Sequence, residues 1–218
     1  MRVYTMALAL LLAVGCKSSG SAKASQPVAE TSASIQDISA SITKTKAGVE
    51  TAVTALTALS ESSTNDALKT NFDLYDKSVE DLKTSAQTVR DHFTQLRLRK
   101  EAYLSRSLEL SKEVKSAELK ATAEKRRTAL TEAFMTLGGR AKDTGKAFTP
   151  VMASLEDCRR FIQADFTLMS AAAMKPELDE IRKNQKELDV AADALVGELN
   201  ALQSRMTSAA EAKPEEKK

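Results

Sequence analysis

The sequence has no tryptophan, one histidine and two cysteines, and aromatic residues make up only 4 % of its 218 positions. A metal site needs several converging His, Cys or carboxylate ligands, and no HExxH or CxxC motif is present, so we expect no metal site. Few aromatics, 7 glycines and 4 prolines disfavour a large globular core. The remaining residues, dominated by Ala, Leu, Lys, Glu, Ser and Thr, are typical of long helices with a narrow apolar stripe.

The net charge is also small: 32 Lys and Arg are balanced by 30 Asp and Glu, which gives +2. A nucleic-acid-binding face is strongly basic, so this balance predicts no nucleic acid partner. Two basic pairs, Arg126-Arg127 and Arg159-Arg160, either meet anionic lipid or cell-wall carboxylates or are ordinary surface charge. The acids around them favour surface charge.

Motifs for catalysis are missing as well. His92, the single histidine, has no evident partner for general-base or ligand chemistry, and we interpret it as a surface or boundary residue. Gly138-Gly139 is not part of a phosphate-binding loop, and no GxSxG motif occurs. We therefore predict a protein that is not an enzyme, with no catalytic, cofactor-binding or metal-binding residues. An enzyme would need a pocket, which a narrow Leu/Ala stripe seldom makes.

The first residues carry the most specific pattern. Residues 1–16 read MRVYTMALALLLAVGC: a positive Arg2, an apolar run over 6–14, then Gly15 and Cys16. This resembles a bacterial lipoprotein signal, which implies removal of residues 1–15 by cleavage between Gly15 and Cys16 and lipidation of the Cys16 thiol. The alternative is an ordinary secretory leader with an unmodified thiol. Lys17 stands where Asp would resemble an inner-membrane retention signal, so the resemblance implies an outer-membrane lipoprotein facing the periplasm.

Residues 16–34 are small and polar without periodicity, and they predict a lipidated Cys followed by a flexible tether. The other cysteine, Cys158, is then alone, which makes an intramolecular disulfide unavailable. Because Cys158 falls on an apolar stripe, we expect its side chain to be buried.

From residue 35 onwards, apolar residues recur at alternating spacings of three and four, which we call a seam. The first seam ends before a polar stretch at 62–66, where Asn65 or Asp66 is expected to cap the next helix. The second continues past Lys100 and predicts a long coiled-coil helix. The two seams comprise Ile35, Ile38, Ile42, Thr45, Val49, Ala52, Leu56 and Leu59, then Leu68, Phe72, Tyr75, Val79, Leu82, Ala86, Val89, Phe93, Leu96, Tyr103, Ser107, Leu110, Val114 and Ala117.

The seam fades over 118–128 and resumes in a new phase at residue 130. Three glycines and Pro150 lie in this third stretch, which predicts either one kinked helix, the favoured interpretation, or two helices. A last helix begins around Lys175-Pro176-Glu177. These seams comprise Leu130, Phe134, Leu137, Ala141, Thr144, Phe148, Val151, Leu155, Cys158, Ile162 and Met169, then Leu178, Ile181, Leu188, Ala192, Leu195, Leu199, Leu202 and Met206.

Short connections between long helices make neighbours antiparallel. The sequence therefore predicts an all-α fold: an elongated antiparallel coiled coil or helical bundle of three to four long helices over 35–208, followed by a charged tail at 209–218. The first and last helices are too short to cover the central pair, whose ends are expected to project.

The stretch from Asn65 to Met206 resembles an uncharacterised family of helical bacterial envelope proteins, the domain-of-unknown-function family 2959. The resemblance rests on Phe72-Asp73-Leu74-Tyr75, Arg126-Arg127, Pro150-Val151 with Asp157, and the leucine spacing of the last helix. It implies no known activity.

Three functions stay open. The favoured one is a non-catalytic, lipid-anchored structural or interaction protein of the bacterial cell envelope, bound to the membrane by its lipid and to a second copy or an envelope protein by its seams. The alternative is a periplasmic holdase-like chaperone. The least favoured is an enzyme or cofactor-binding protein.

Overall fold

A computed structural model of the chain describes residues 21–211, and their side chains from residue 29 to residue 207. The described residues form five helices and no strand: α1 Ser21–Ser60, α2 Asn65–Glu113, α3 Ala117–Ala164, the short α4 Leu168–Ala173, and α5 Lys175–Glu211. The prediction of an all-α bundle is thus confirmed, with four long helices.

The four long helices run up and down in turn, because the connections at 61–64, 114–116 and 165–174 are short. Helix α1 packs along α2 and α5, and α3 packs along α5, whereas α2 and α3 touch each other much less. The result is a four-helix bundle in which α2 and α3 are the longest members. The 61–64 turn and the α3–α4–α5 connection lie together at what we call the far end.

The predicted seams of α1 and α5 form the core. Every apolar seam residue of α1 from Ile35 to Leu59, and every one of α5 from Leu178 to Met206, is buried. The α2 and α3 seams are buried in two separate parts of each helix, Leu68–Ala86 (apart from the half-buried Phe72) and Leu96 in α2, and Leu130–Leu137 and Val151–Ile162 in α3. Seam positions thus locate the bundle interior correctly wherever neighbouring helices lie alongside.

Two predicted boundaries are wrong. Helix α1 begins at Ser21, inside the predicted tether, and Thr31 and Ser34 are buried against the bundle. Small polar residues fit a helix interface without any apolar signal in the sequence. The cap of α2 is Thr64, whose Oγ1 accepts a hydrogen bond from the Ala67 backbone N–H at 3.2 Å, in place of the expected Asn65 or Asp66.

The predicted seams also run too far in two places. Helix α2 ends at Glu113, and a turn capped by Ser116 separates it from α3, so the seam does not continue through Ala117. Leu110 is 50 % exposed and Met169, in α4, is 78 % exposed. Leu110 lies near the tip of the α2–α3 hairpin, and Met169 is exposed although α4 contacts α1, α2 and α3.

Helix α3 is one continuous helix through Pro150, which confirms the predicted continuity, and the predicted kink stays a prediction. The Thr149 hydroxyl donates to the Gly145 carbonyl at 2.9 Å, just before the proline. The C-terminal helix likewise extends to Glu211, three residues into the predicted tail, and residues 212–218 lie outside the described part.

The last part of the fold is a hairpin formed by the end of α2 and the start of α3. Between Leu96 and Leu130, both buried, no residue is buried. We call residues 97–129 the arm. The arm corresponds to the projecting end of the central helix pair that was predicted from the lengths of the helices. No helix among residues 21–211 is long and apolar enough to cross a membrane.

Candidate functional site

The core of the bundle divides into two clusters, one towards the far end and one towards the arm. Between them lies a cavity of about 340 Å³, lined by all four long helices. Its lining is mainly apolar and consists of Ile42, Thr45, Lys46, Ala86, Val89, Arg90, Phe93, Ala141, Thr144, Gly145, Phe148, Leu188, Ala192 and Leu195.

Small residues explain why the cavity exists. At this level α2 presents Ala86, α3 presents Ala141 and Gly145, and α5 presents Ala192, whereas larger apolar residues occupy the neighbouring seam positions. Because these side chains are too short to reach the bundle axis, and the helices do not move closer together, a space remains between them. The seam residues Val89, Phe93 and Phe148 are only half-buried because they face this space.

Polar groups of the cavity wall are satisfied within the protein. The Thr45 hydroxyl donates to the Ser41 carbonyl at 2.9 Å, and the Thr144 hydroxyl lies 3.0 Å from the Arg140 carbonyl and 3.1 Å from the Ala191 carbonyl. A cavity whose hydroxyls already have partners favours an apolar ligand over a polar one.

Two cations border the cavity. Lys46 donates to Asp193 Oδ1 at 2.5 Å and lies 3.6 Å from Asp189 Oδ1. The hydrogen bond to Asp193, opposed by burial, raises the pKa of Lys46 above its usual value. Arg90 is exposed and forms no ion pair with a described residue, its Nη1 lying 3.3 Å from Gln87 Oε1.

The arm is the second feature of functional interest. It carries five Glu and ten Lys and Arg, namely Arg97, Arg99, Lys100, Arg106, Lys112, Lys115, Lys120, Lys125, Arg126 and Arg127. Its two helices are linked by Arg127 Nη1, which donates to Ser111 Oγ at 2.9 Å. Four large leucines are about half or more exposed: Leu98, Leu108, Leu110 and Leu119. The arm is therefore both basic and partly apolar.

At the far end, α2 and α3 are joined by charge and by one buried hydroxyl. Arg159 donates from Nε to Asp76 Oδ1 at 2.6 Å and also pairs with Glu80, while Lys83 pairs with Glu156. Hydrogen bonding from Arg159, and then from Lys83, lowers the pKa of Glu80. The fully buried Tyr75 donates to the Leu155 carbonyl at 2.5 Å, and burial raises its pKa.

The sequence-predicted site residues are distributed as follows. Gly15 and Cys16 lie outside the described residues, so their predicted cleavage and lipidation stay predictions. Cys158 is a buried free thiol, as predicted, and burial raises its pKa to about 12. His92 is half-buried, with Nδ1 3.3 Å from Ser41 Oγ. Of the basic pairs, Arg159 joins the far-end network and Arg160 pairs with Asp157.

The cavity was not predicted from the sequence, and of the arm the sequence predicted only a projecting end and, as the less favoured interpretation, a contact of Arg126-Arg127 with anionic lipid. The only signals were the small residues Ala86, Ala141, Gly145 and Ala192, and the excess of basic residues between 97 and 127. No protein-family model, no curated protein and no solved structure matches this chain. The resemblance to the helical envelope family stays a prediction.

Proposed function

We propose that this protein is a non-catalytic lipoprotein of the bacterial cell envelope, anchored through Cys16 in the outer membrane and facing the periplasm, with a structural or interaction role. The pattern of residues 1–16 supports the anchor, since an apolar run ends at a small residue and a cysteine. The helical bundle supports the role, because it offers long surfaces on a rigid scaffold.

The arm is the observation that carries the interaction role. The inner part of the arm lies beside the start of α1, where Arg99 contacts Glu30, but the tip extends beyond it. A two-helix hairpin of this kind buries too little apolar surface to be well stabilised alone. Here α2 and α3 continue through 97–129 without a buried residue, and they expose Leu108, Leu110 and Leu119. A projection with solvent-exposed leucines is typical of a surface that is covered by a partner.

Acylation tests the anchor directly. We expect the protein to incorporate a labelled fatty acid in growing bacteria, and the Cys16→Ala variant to lose all of the label. Cys158→Ala is the matched control, because it removes the other thiol and leaves the leader unchanged. Label retained in Cys16→Ala, or an unmodified amino-terminal Cys16 in the mass spectrum of the mature chain, would contradict the proposal.

The cavity favours a second candidate function, the binding of an apolar molecule. Its volume of about 340 Å³ and its internally satisfied hydroxyls fit a hydrocarbon group. Ala141→Met places three further heavy atoms in the cavity, and we expect it to weaken binding of the probe N-phenyl-1-naphthylamine at least about tenfold. Ala153→Met, on an exposed face of the same helix, should bind as the parent does. Equal binding by both variants would dismiss this candidate.

A further inference from the structure

We propose that the arm is a docking surface for a membrane containing anionic phospholipid, on the side to which Cys16 would anchor the chain. This inference rests on the proposed lipid anchor and names the partner of the interaction surface. Charge, exposed apolar residues and chain direction support it independently.

Charge is concentrated in the arm. With ten basic and five acidic residues, the arm carries +5, whereas the whole chain carries only +2, so the rest of the molecule is net acidic. Lys115, Lys120 and Lys125 are exposed and form no ion pair with a described residue. Basic side chains near an anionic bilayer each contribute about 1 kcal/mol of attraction.

Apolar side chains lie next to these cations. Leu110, near the end of α2, is 50 % exposed, and Leu119, in the first turn of α3, is 61 % exposed. Leu108 is 45 % exposed one helical turn before the end of α2. Leucines surrounded by lysines are typical of protein surfaces that enter the interface of a bilayer. A nucleic acid would use the cations but would give these leucines nothing to contact.

Chain direction brings the arm to the membrane. Helix α1 starts at the arm end, because Arg99 Nη1 in α2 donates to the Glu30 carbonyl at 2.5 Å, and Gln203 in α5 donates to Ser32 Oγ at 3.1 Å. Beyond the Arg99–Glu30 contact, α2 continues to Glu113 and α1 continues in the same direction to its first residue, Ser21. At ~1.5 Å per residue, the α2 segment is longer than the α1 segment by ~7 Å, so the arm extends that far beyond Ser21.

The distance from the anchor is short. The chain between Cys16 and Ser21 spans at most ~18 Å even when fully extended. A lipid on Cys16 therefore holds the start of α1 within that distance of the bilayer, and the arm tip around Lys115 lies closer still when the helices stand upright on the membrane. The same direction keeps the far end, with its acidic residues, away from an anionic surface.

Vesicle flotation of the unlipidated chain starting at residue 17 tests this inference. Every buried residue among the side chains described, 29–207, lies from Thr31 to Met206, so this chain retains the described core. We expect it to float with vesicles of equal parts phosphatidylglycerol and phosphatidylcholine and not with phosphatidylcholine alone. Binding should weaken as salt is raised, because the attraction is electrostatic. Equal binding to both vesicles, or binding to neither, would overturn the inference.

Charge variants locate the surface. The triple change Lys115→Gln, Lys120→Gln and Lys125→Gln should weaken partitioning into anionic vesicles roughly 100-fold, since each lysine contributes about fivefold. The matched control is Lys69→Gln, Lys175→Gln and Lys186→Gln, three exposed lysines away from the arm that form no described ion pair. If the control binds as weakly as the arm variant, general charge is responsible and the assignment to the arm is wrong.

Leucine variants separate lipid contact from charge alone. Leu110→Ser with Leu119→Ser should weaken partitioning at least about fivefold, whereas Leu74→Ser, at an exposed leucine near the far end, should not. Unchanged binding of the double variant would show that no apolar contact is made and would contradict docking into the interface. The vesicle experiments use a chain without lipid, so they are independent of the acylation experiment. If the chain does not bind vesicles but Cys16 is acylated in cells, only the docking is rejected. If the chain binds vesicles but Cys16 is not acylated, only the anchor is rejected.

Discussion

Tyr75 shows how a single side chain joins helices that otherwise touch little. It is fully buried in α2, and its hydroxyl donates to the Leu155 carbonyl of α3 at 2.5 Å. Burial of the ring and a partner for the hydroxyl together satisfy the two needs of a tyrosine in a core. The sequence predicted the burial from the seam but had no signal for the hydrogen bond, which depends on how α2 and α3 are aligned.

Removing this hydroxyl tests its contribution. Tyr75→Phe should lower the free energy of unfolding by about 1 kcal/mol, because the hydrogen bond is lost while the packing of the ring is kept. Tyr103→Phe is the control, since Tyr103 is only half-buried on the arm and should change stability much less. Urea unfolding measures both, and equal losses would contradict a special role for Tyr75.

The carboxylate of Glu80 gives the far-end network a pH dependence. Hydrogen bonding from Arg159, and secondly from Lys83, holds the pKa of Glu80 below its usual value of 4.5. A depressed folded-state pKa means that the unfolded chain takes up the proton first as pH falls. The stabilisation is therefore complete above about pH 4.5 and is lost as the pH falls through the lower folded value.

Glu80→Gln should make unfolding less dependent on pH in the acidic range. We expect its stability to fall less than that of the parent between about pH 5 and pH 3, because one carboxylate with a shifted pKa has been removed. Glu187→Gln is the control, since Glu187 is exposed and forms no described ion pair. Identical pH profiles for Glu80→Gln and the parent would contradict the role given to this pair.

At the scale of elements, the seams predicted the helices and most of the core. The prediction succeeded for Leu56, Leu82, Leu155 and Leu195, where at least two other helices lie alongside. It failed at Leu110, because the 3-4 spacing reports an apolar face without reporting whether another helix covers it. It also missed the start of α1, where Ala and Ser residues carry no periodic signal.

The glycines of α3 provide a test at this scale. Added β-carbons at Gly138 and Gly139 would meet nothing within 4 Å, so these positions are open helix surface. Gly138→Ala and Gly139→Ala should each raise the free energy of unfolding by about 1 kcal/mol, because alanine favours the helix. At Gly48 the added carbon would lie 3.3 Å from Leu82 Cδ1, so Gly48→Ala should gain less. Thermal unfolding that ranks Gly48→Ala above the other two would contradict this description.

At the scale of the whole molecule, two features escaped prediction because they depend on the alignment of different helices. The cavity needs Ala86, Gly145 and Ala192 at one level of the bundle, and their levels are set by the turns at 61–64 and 165–174. The net charge of the whole chain gives no sign of the basic arm, since +2 is the sum of a basic arm and an acidic remainder. Only the fold shows which charges share an end.

Hydrogen exchange tests most directly the claim that the core ends at Leu96 and Leu130 while α2 and α3 continue beyond it. In the unlipidated chain in solution, we predict that the helical arm amides at 100–113 and 117–127 exchange at least about 100-fold faster than core amides around Leu56, Leu155 and Leu195, although both groups are helical. Equal protection of the arm and the core would contradict the account, because it would require buried residues between 97 and 129, where the structure has none.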